Sequence, residues 1–265
     1  MIFRSFRGAI EWAFQDLKVQ GQPIRITNWQ GMSINEEMIE TYNLNLEVMH
    51  IPTNLIDLQN QIQPDLPWAD NHFEERVSRK PLNPGNEYRN WKFFRNNAED
   101  EKFRKEGGKF SHTYMERYWP KRAGHRELVT SGGTFFGIRY DYGDLDDVIN
   151  LLLDEPYTRQ AYLPVWFPED TGAVSKQRVP CTLGYLLYYR QEKLHITYYI
   201  RACDAFKHFR NDIYLTVRLL QWVLNELCMR QSHESKIDWH NVKLGTFNMV
   251  IANFHVFKKE INLLK

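Results

Sequence analysis

The chain has 265 residues, with 34 Lys plus Arg against 33 Asp plus Glu, a net charge of +1. Hydrophobic residues at 43% and charged residues at 25% are ordinary globular values, so a disordered chain is excluded and one domain over residues 1–265 is expected. So even a charge balance recommends neither nucleic acid nor an anionic membrane as partner.

In chain order, Phe3, Phe6, Ile10, Phe14 and Leu17 recur at helical spacing, and Gly21 follows as a stop. Residues 36–50 read as a short helix running into an alternating strand at Leu44, Leu46 and Val48. Residues 54–80 read as loop and helix, ending at a Pro-Leu-Asn-Pro-Gly turn. The polar stretch 95–109 reads as an exposed loop or helix end. Asp144 opens a capped helix over 144–154, which Pro156 ends. Residues 161–167 predict a strand and 168–172 a turn. The runs 183–190 and 193–201 flank Gln191-Glu192 as a hairpin. A long, mostly apolar helix covers 211–230, and 245–258 closes with a strand. Hairpins mixed with helices predict an α+β fold.

Cys181, Cys203 and Cys228 form no CxxC pair, and their odd number fits a reducing compartment. Zinc-type Cys/His spacing is absent, so no metal is expected. The N-terminal residues carry charges within their apolar stretch, unlike a signal peptide, and no run approaches the roughly 20 apolar residues of a membrane span. A cytoplasmic protein is expected. With 8 Trp, 14 Tyr and 16 Phe, it has flat walls to offer a planar ligand, although most such rings are core.

Two groups of residues carry chemistry. Cys181 follows Pro180, and Arg178 lies three residues upstream, where a guanidinium would favour the nucleophilic thiolate. The ordinary reading of a lone cysteine is a small buried hydrophobe. Arg201-Ala-Cys-Asp204 ends a strand, and Phe209-Arg-Asn211-Asp212 opens the long helix, a natural setting for an anion. The ordinary reading makes Asp212 an N-cap and Asp204 a surface turn.

The segment RVPCTLGYLLYYRQEKLHITYYIRACDAFKHFRNDIY resembles the catalytic segment of the thymidylate synthase superfamily. Cys181, Arg201, Asp204 and position 212 fall at that family's spacings. Pro156-Tyr-Thr-Arg159-Gln160 resembles its arginine turn, and Asn253-Phe-His255-Val-Phe257 its terminal His-x-Tyr strand. The resemblance is firm over 145–260 and loose over the first 140, where Tyr114 and Trp91 are the counterparts. It implies a mixed sheet packed with helices and a homodimer formed through that sheet.

Departures from the pattern refine the implication. Position 212 is Asp where a thymidylate synthase has Asn, as in the cytidylate hydroxymethylase branch. A carboxylate can accept from the cytosine 4-amine, with a proton shared at N3. The tail Ile-Asn-Leu-Leu-Lys does not match the family's closing apolar segment, which fits a site that admits water. Ala202 replaces a serine, Gln160 the second arginine of the turn, and Phe257 a tyrosine, so the sugar-phosphate end is atypical and CMP is preferred over dCMP.

The mechanism implied by the resemblance begins with addition of the Cys181 thiolate to C6 of the pyrimidine. C5 then attacks the methylene of 5,10-methylenetetrahydrofolate, tetrahydrofolate leaves, and water adds to the exocyclic methylene. Glu75, or else Glu74, is the candidate carboxylate for ordering that water. Arg201, Arg159 from the second subunit and Arg25 would hold phosphate. Asn211 and Ala202 fall on the substrate side, His255 and Phe257 at the sugar, Asp204 and Trp91 on the folate side. The alternatives are a thymidylate synthase or uridylate hydroxymethylase, and a catalytically silent nucleotide- or RNA-binding relative. The compartment is the cytoplasm, or a host's if the chain is phage-encoded.

Overall fold

The computed structural model describes residues 1–29, 32–91, 108–123, 127–130, 133–136, 143–171 and 178–265. The polar stretch expected as a loop at 95–109 lies almost wholly outside them.

A short strand β1 (Ile2–Phe3) leads into helix α1 (Phe6–Gln20). Ser5 caps α1 by accepting from the Gly8 amide, and the apolar positions read from the sequence form its buried stripe. Strands β2 (Gln22–Trp29) and β3 (Met32–Val48) follow. The helix expected at the start of 36–50 is therefore strand. Residues 36–40 pair with β2 on one side, and Met38 onwards pairs with the last strand, β9 (Lys243–Phe257), on the other. Pairing with β2, joined by β9 from Met38 onwards, outweighs the helix preference of Glu36, Glu37 and Met38, which is about 0.5 kcal/mol per residue.

Helices α2 (Leu55–Ile62) and α3 (Trp68–Val77) occupy the region expected as loop and helix. A short helix α4 (Tyr114–Tyr118) carries a Thr113/Glu116 capping box. A separate two-stranded pair joins β4 (Glu127–Thr130) and β5 (Gly133–Phe136). Helix α5 (Leu145–Asp154) begins at Asp144, whose carboxylate accepts from the Asp146 and Asp147 amides, as the sequence indicated. Strand β6 (Tyr162–Pro164) is shorter than expected. Strands β7 (Thr182–Arg190) and β8 (Lys193–Asp204) form the expected hairpin, turning on Gln191 and Glu192 with φ of 53° and 57°. Helix α6 (Phe209–Arg230) starts two residues before its predicted position.

The main sheet has the order β1-β3-β9-β8-β7-β6, with β2 added on β3. The β8/β9 and β1/β3 pairs are parallel and the others antiparallel, a mixed sheet of an α+β fold. Register explains its two faces. The cross-strand row Leu163, Tyr185, Tyr198, Met249, Leu46 is buried throughout, under the helices. The next row, Tyr162, Leu186, Thr197, Asn248, Glu47, points the opposite way; Tyr162 is exposed, Leu186, Asn248 and Glu47 are half-buried, and Thr197 is buried. On the helical side Phe209 packs on Phe254 with centroids 4.7 Å apart and on Phe14 at 5.8 Å, which seats the start of α6 against the ends of β8 and β9.

One buried ion pair ties α4 to the segment after β6. Arg117, 1% exposed, donates from Nη1 and Nη2 to the Asp170 carboxylate at 2.9 and 2.8 Å, and Asp170 also accepts from the Phe167 amide. Removing one member of such a pair leaves the other charge buried. Asp170→Ala is expected to lower unfolding stability by about 3–5 kcal/mol. Urea titration checks this, and a loss of under about 1 kcal/mol would contradict the role given to the pair.

Candidate active site

The parallel strands β8 and β9 end side by side, and the N-terminus of α6 rises from the same edge. A cavity of about 390 Å³ opens there. Its wall includes Cys181, Arg178, Arg201, Ala202, Asp204, Asn211, Asp212, His255 and Trp91, so most of the residues picked from the sequence meet in one place.

The spacing of Cys181 and Arg201 follows from the hairpin. Thr182 pairs with Ile200, which puts Cys181 opposite Arg201, and the Arg201 amide donates to the Cys181 carbonyl at 2.8 Å. Cys181 is half-buried. Burial raises its thiol pKa, and Arg201 and Arg178 pull it down. Cys203 is fully buried and its thiol faces Asp212 Oδ2 at 3.7 Å, while Cys228 is half-buried beneath the Trp239 carbonyl.

Asp212 is not the cap of α6. His208 stands at that position, and the Asp212 carboxylate turns inward to the cavity. Burial pushes its pKa up to about 7, Arg76 acts in the opposite direction, and Asp204 adds to the rise. Asp204 is not a surface turn either. It is 6% exposed, and its Oδ1 accepts from the Phe206 and Lys207 amides. Asn211 commits its side chain to Asp65, accepting from the Asp65 amide at 2.8 Å and donating to its carboxylate at 3.0 Å. His255 Nδ1 lies 2.6 Å from Asn253 Oδ1, so Nδ1 carries the proton and Nε2 remains an acceptor. Burial lowers the His255 pKa, which keeps the ring neutral.

Trp91 stacks on Trp68 with centroids 5.2 Å apart and meets His208 at 4.9 Å. This aromatic wall suits a flat heterocycle. Tyr114 reaches Thr182 with its hydroxyl at 3.0 Å, beside Cys181.

Five of the sequence-picked residues do not line this cavity. Arg25 is exposed on β2 and bonds Asn35, although Ile26 and Asn28 of the same strand do line it. Arg159 is exposed just before β6. Phe257 is buried under the Lys207 ammonium, 4.6 Å above its ring. Glu75 accepts from the Asn86 amide at 2.9 Å through Oε1. Its Oε2 is buried, and together with Glu87 Oε2 it crowds the point where a Cβ on Gly85 would stand. Burial raises the Glu75 pKa. Glu74, the other candidate, is largely exposed beside Arg218.

The sequence reading missed His72 and Arg76. The cavity face of α3 is Trp68, His72 and Arg76, four residues apart, a signal that was present in the spacing. No group of His, Cys, Asp and Glu among the described residues could hold a metal ion, and no helix among them is long and apolar enough to cross a membrane.

A search of curated proteins finds no match for this chain. Among solved structures it is similar to the thermostable thymidylate synthase A from Bacillus subtilis, at 14% identity and a TM-score of 0.63, over 98% of this chain and 82% of that one. At that identity the likeness speaks for the fold. The family model for thymidylate synthase matches residues 75–265, which takes in the hairpin, the paired strand ends and the start of α6 that together build the cavity. The match and the fold agree on the same residues: the chain belongs to the thymidylate synthase family.

Proposed function

We propose that the protein is a folate-dependent 5-hydroxymethylase of a cytidine monophosphate, with CMP preferred over dCMP. Family membership makes it a one-carbon transferase of nucleotide metabolism. When bound, 5,10-methylenetetrahydrofolate supplies the one-carbon unit.

The observation that carries the cytidine reading is the Asp212 carboxyl in the cavity wall, poised at about 7. One proton between this carboxyl and N3 of cytosine leaves the second oxygen to accept from the 4-amine, a bidentate pair. Cys181 supplies the nucleophile. Its sulfur bonds to C6, and the C5=C6 π pair moves to C5, which becomes the attacking carbon. Arg201 takes phosphate and His255 Nε2 accepts from a sugar hydroxyl. Support for a ribonucleotide comes from Glu40, which pairs across β3/β9 with His255 and lines the cavity, offering an acceptor to a 2′-hydroxyl. Ala202 in the same wall adds no hydroxyl of its own. Glu75 stays the candidate carboxylate for managing the water, although it does not line the cavity.

Arg159 is assigned to the site of a second copy. The sheet face bearing exposed Tyr162 and half-buried Leu186 and Asn248 offers the surface for that dimer, and Arg190 holds the Arg159 turn by donating to the Tyr157 carbonyl at 3.0 Å. Mixing Arg159→Ala subunits with Cys181→Ser subunits is expected to restore activity, because half of the sites in a mixed dimer then carry neither defect. No recovery after verified subunit exchange would assign Arg159 to its own chain.

The reading itself is tested by incubating the protein with CMP, dCMP, UMP or dUMP plus methylenetetrahydrofolate and weighing the product. A hydroxymethyl adduct on CMP is expected. A methyl product on dUMP would return the protein to the thymidylate synthase reaction. A silent binding relative would give neither, and the thiol in the cavity wall argues against that reading.

A further inference from the structure

Arg76 is 4% exposed, yet no carboxylate among the described residues lies within ion-pair distance of it. Buried guanidinium groups ordinarily sit against a carboxylate. Here the side chain is held by other means. Its Nε donates to His72 Nε2 at 2.9 Å, and its guanidinium carbon stands 4.0 Å above the Tyr114 ring. Because His72 Nε2 accepts, its proton is on Nδ1, which donates to Glu87 Oε1 at 2.9 Å. His72 and Glu87 are 2% and 1% exposed, so the series Glu87, His72, Arg76 runs from the interior to the cavity. Among the described residues, neither terminal nitrogen of Arg76 has a protein acceptor. That arrangement fits an acceptor that arrives with the substrate or arises during the reaction.

Resting on the function proposed above, we propose that Arg76 is a catalytic residue that stabilises the negative charge driven into the pyrimidine when Cys181 adds to C6, and that His72 and Glu87 are the positioning residues that aim it. In that step the S–C6 bond forms and the C5=C6 π pair moves onto C5. Conjugation spreads the charge to N3 and O2 of cytosine, or to O4 of uracil. No proton is consumed; the charge of the thiolate is relocated onto the ring. The two ends of this movement face different cations. Arg201 and Arg178 act on the Cys181 thiol, whereas Arg76 acts on Asp212. Charge leaving sulfur for the Asp212 side of the ring therefore approaches Arg76, which favours the adduct over the starting thiolate.

The test follows tritium release from C5 of CMP, dCMP, UMP and dUMP with methylenetetrahydrofolate present. Arg76→Gln is expected to slow release at saturating nucleotide by roughly 100-fold, with little change in KM. Arg76→Lys keeps the charge and should lose less, while Glu87→Gln and His72→Phe should each lose roughly 10-fold by misplacing the guanidinium. The limb of the pH profile that reports Asp212 should move to higher pH in Arg76→Gln and stay near its place in Arg76→Lys. A merely structural role would move neither that limb nor kcat apart from KM. An Arg76→Gln protein that melts like the wild type and releases tritium within about threefold of it overturns the inference. Should the variants fail to fold, a crystal structure of the wild type with the reactive nucleotide decides. Terminal nitrogens of Arg76 within hydrogen-bond distance of a ring heteroatom support the proposal, and nitrogens beyond that reach overturn it. Wild-type protein that releases tritium from none of the four nucleotides overturns the proposed function itself, whereas release unaffected by Arg76→Gln overturns this inference alone.

Discussion

Cys181→Ser is expected to reduce turnover by roughly 10⁴-fold or more while leaving the fold and nucleotide binding in place. The substitution removes one atom's chemistry from a half-buried position whose backbone carbonyl remains bonded to the Arg201 amide, so the geometry of the wall has no reason to change. What changes is the nucleophile. Burial already disfavours the thiolate, and Arg201 and Arg178 offset that only in part. A serine hydroxyl, several units weaker as an acid than a thiol, gains far too little from the same two cations to ionise near neutral pH. Nucleotide binding measured by calorimetry should survive, because phosphate and base contacts do not use the sulfur. Cys203→Ser and Cys228→Ser serve as controls and should retain turnover, with a packing penalty at each. Turnover above a few per cent of wild type in Cys181→Ser, after exclusion of contaminating enzyme, would remove the covalent mechanism.

Asp212→Asn is expected to shift preference from cytidine towards uridine nucleotides by about 5- to 150-fold, the equivalent of roughly 1–3 kcal/mol from a mismatched buried pair. The carboxyl complements the 4-amine and N3 of cytosine with a single proton, whereas the amide offers the donor and acceptor that suit uracil O4 and N3–H. Most of the loss on cytidylate should appear in kcat, since a proton at N3 stabilises the adduct more than the bound ground state. An unchanged cytidine-to-uridine ratio of kcat/KM for all four nucleotides would transfer the favoured reading to a uridylate enzyme.

The same variant has a second readout, in stability. The folded-state pKa of Asp212 is raised to about 7 from the ordinary aspartate value of 3.8. Arg76 from α3, Cys203 and Asp204 from β8, and the Cys181, Tyr114 and Tyr198 side chains face this carboxyl. A carboxyl with a raised pKa favours folding while protonated. Its contribution is complete below about 4 and is lost as pH climbs through about 7, where the buried group must ionise. Wild-type stability should therefore fall by roughly 2–4 kcal/mol relative to Asp212→Asn between those limits. The asparagine variant should accordingly be the more stable protein at neutral pH. Denaturant titrations of both proteins at pH 5 and pH 8 test the sign, and parallel curves would show that Asp212 titrates normally.

Local pattern determined most elements of this protein. The stripe of α1, the Asp144 cap of α5 and the Gln191-Glu192 turn are each written within a few neighbouring residues, and each stands where the sequence put it. The Cys181–Arg201 pairing was legible for the same reason, since a hairpin turns a fixed sequence spacing into a cross-strand contact. Other features depended on partners distant in the chain. Residues 36–40 begin with helix-favouring side chains and became strand because β2 pairs with all of them and β9 with Met38 onwards. Glu75 has the identity expected of a catalytic carboxylate, but the rotation of α3 turns it towards Asn86 and presents His72 and Arg76 to the cavity. Asp212 looked equally like a helix cap until the true start of α6 at Phe209 left it inside the first turns, facing Cys203. Spacing specifies what lies on one helix face or across one hairpin. Which face turns to the cavity is set by packing, through the burial of Phe209 against Phe14 and Phe254 and of His72 against Glu87, and that information is spread over residues that lie far apart in the chain.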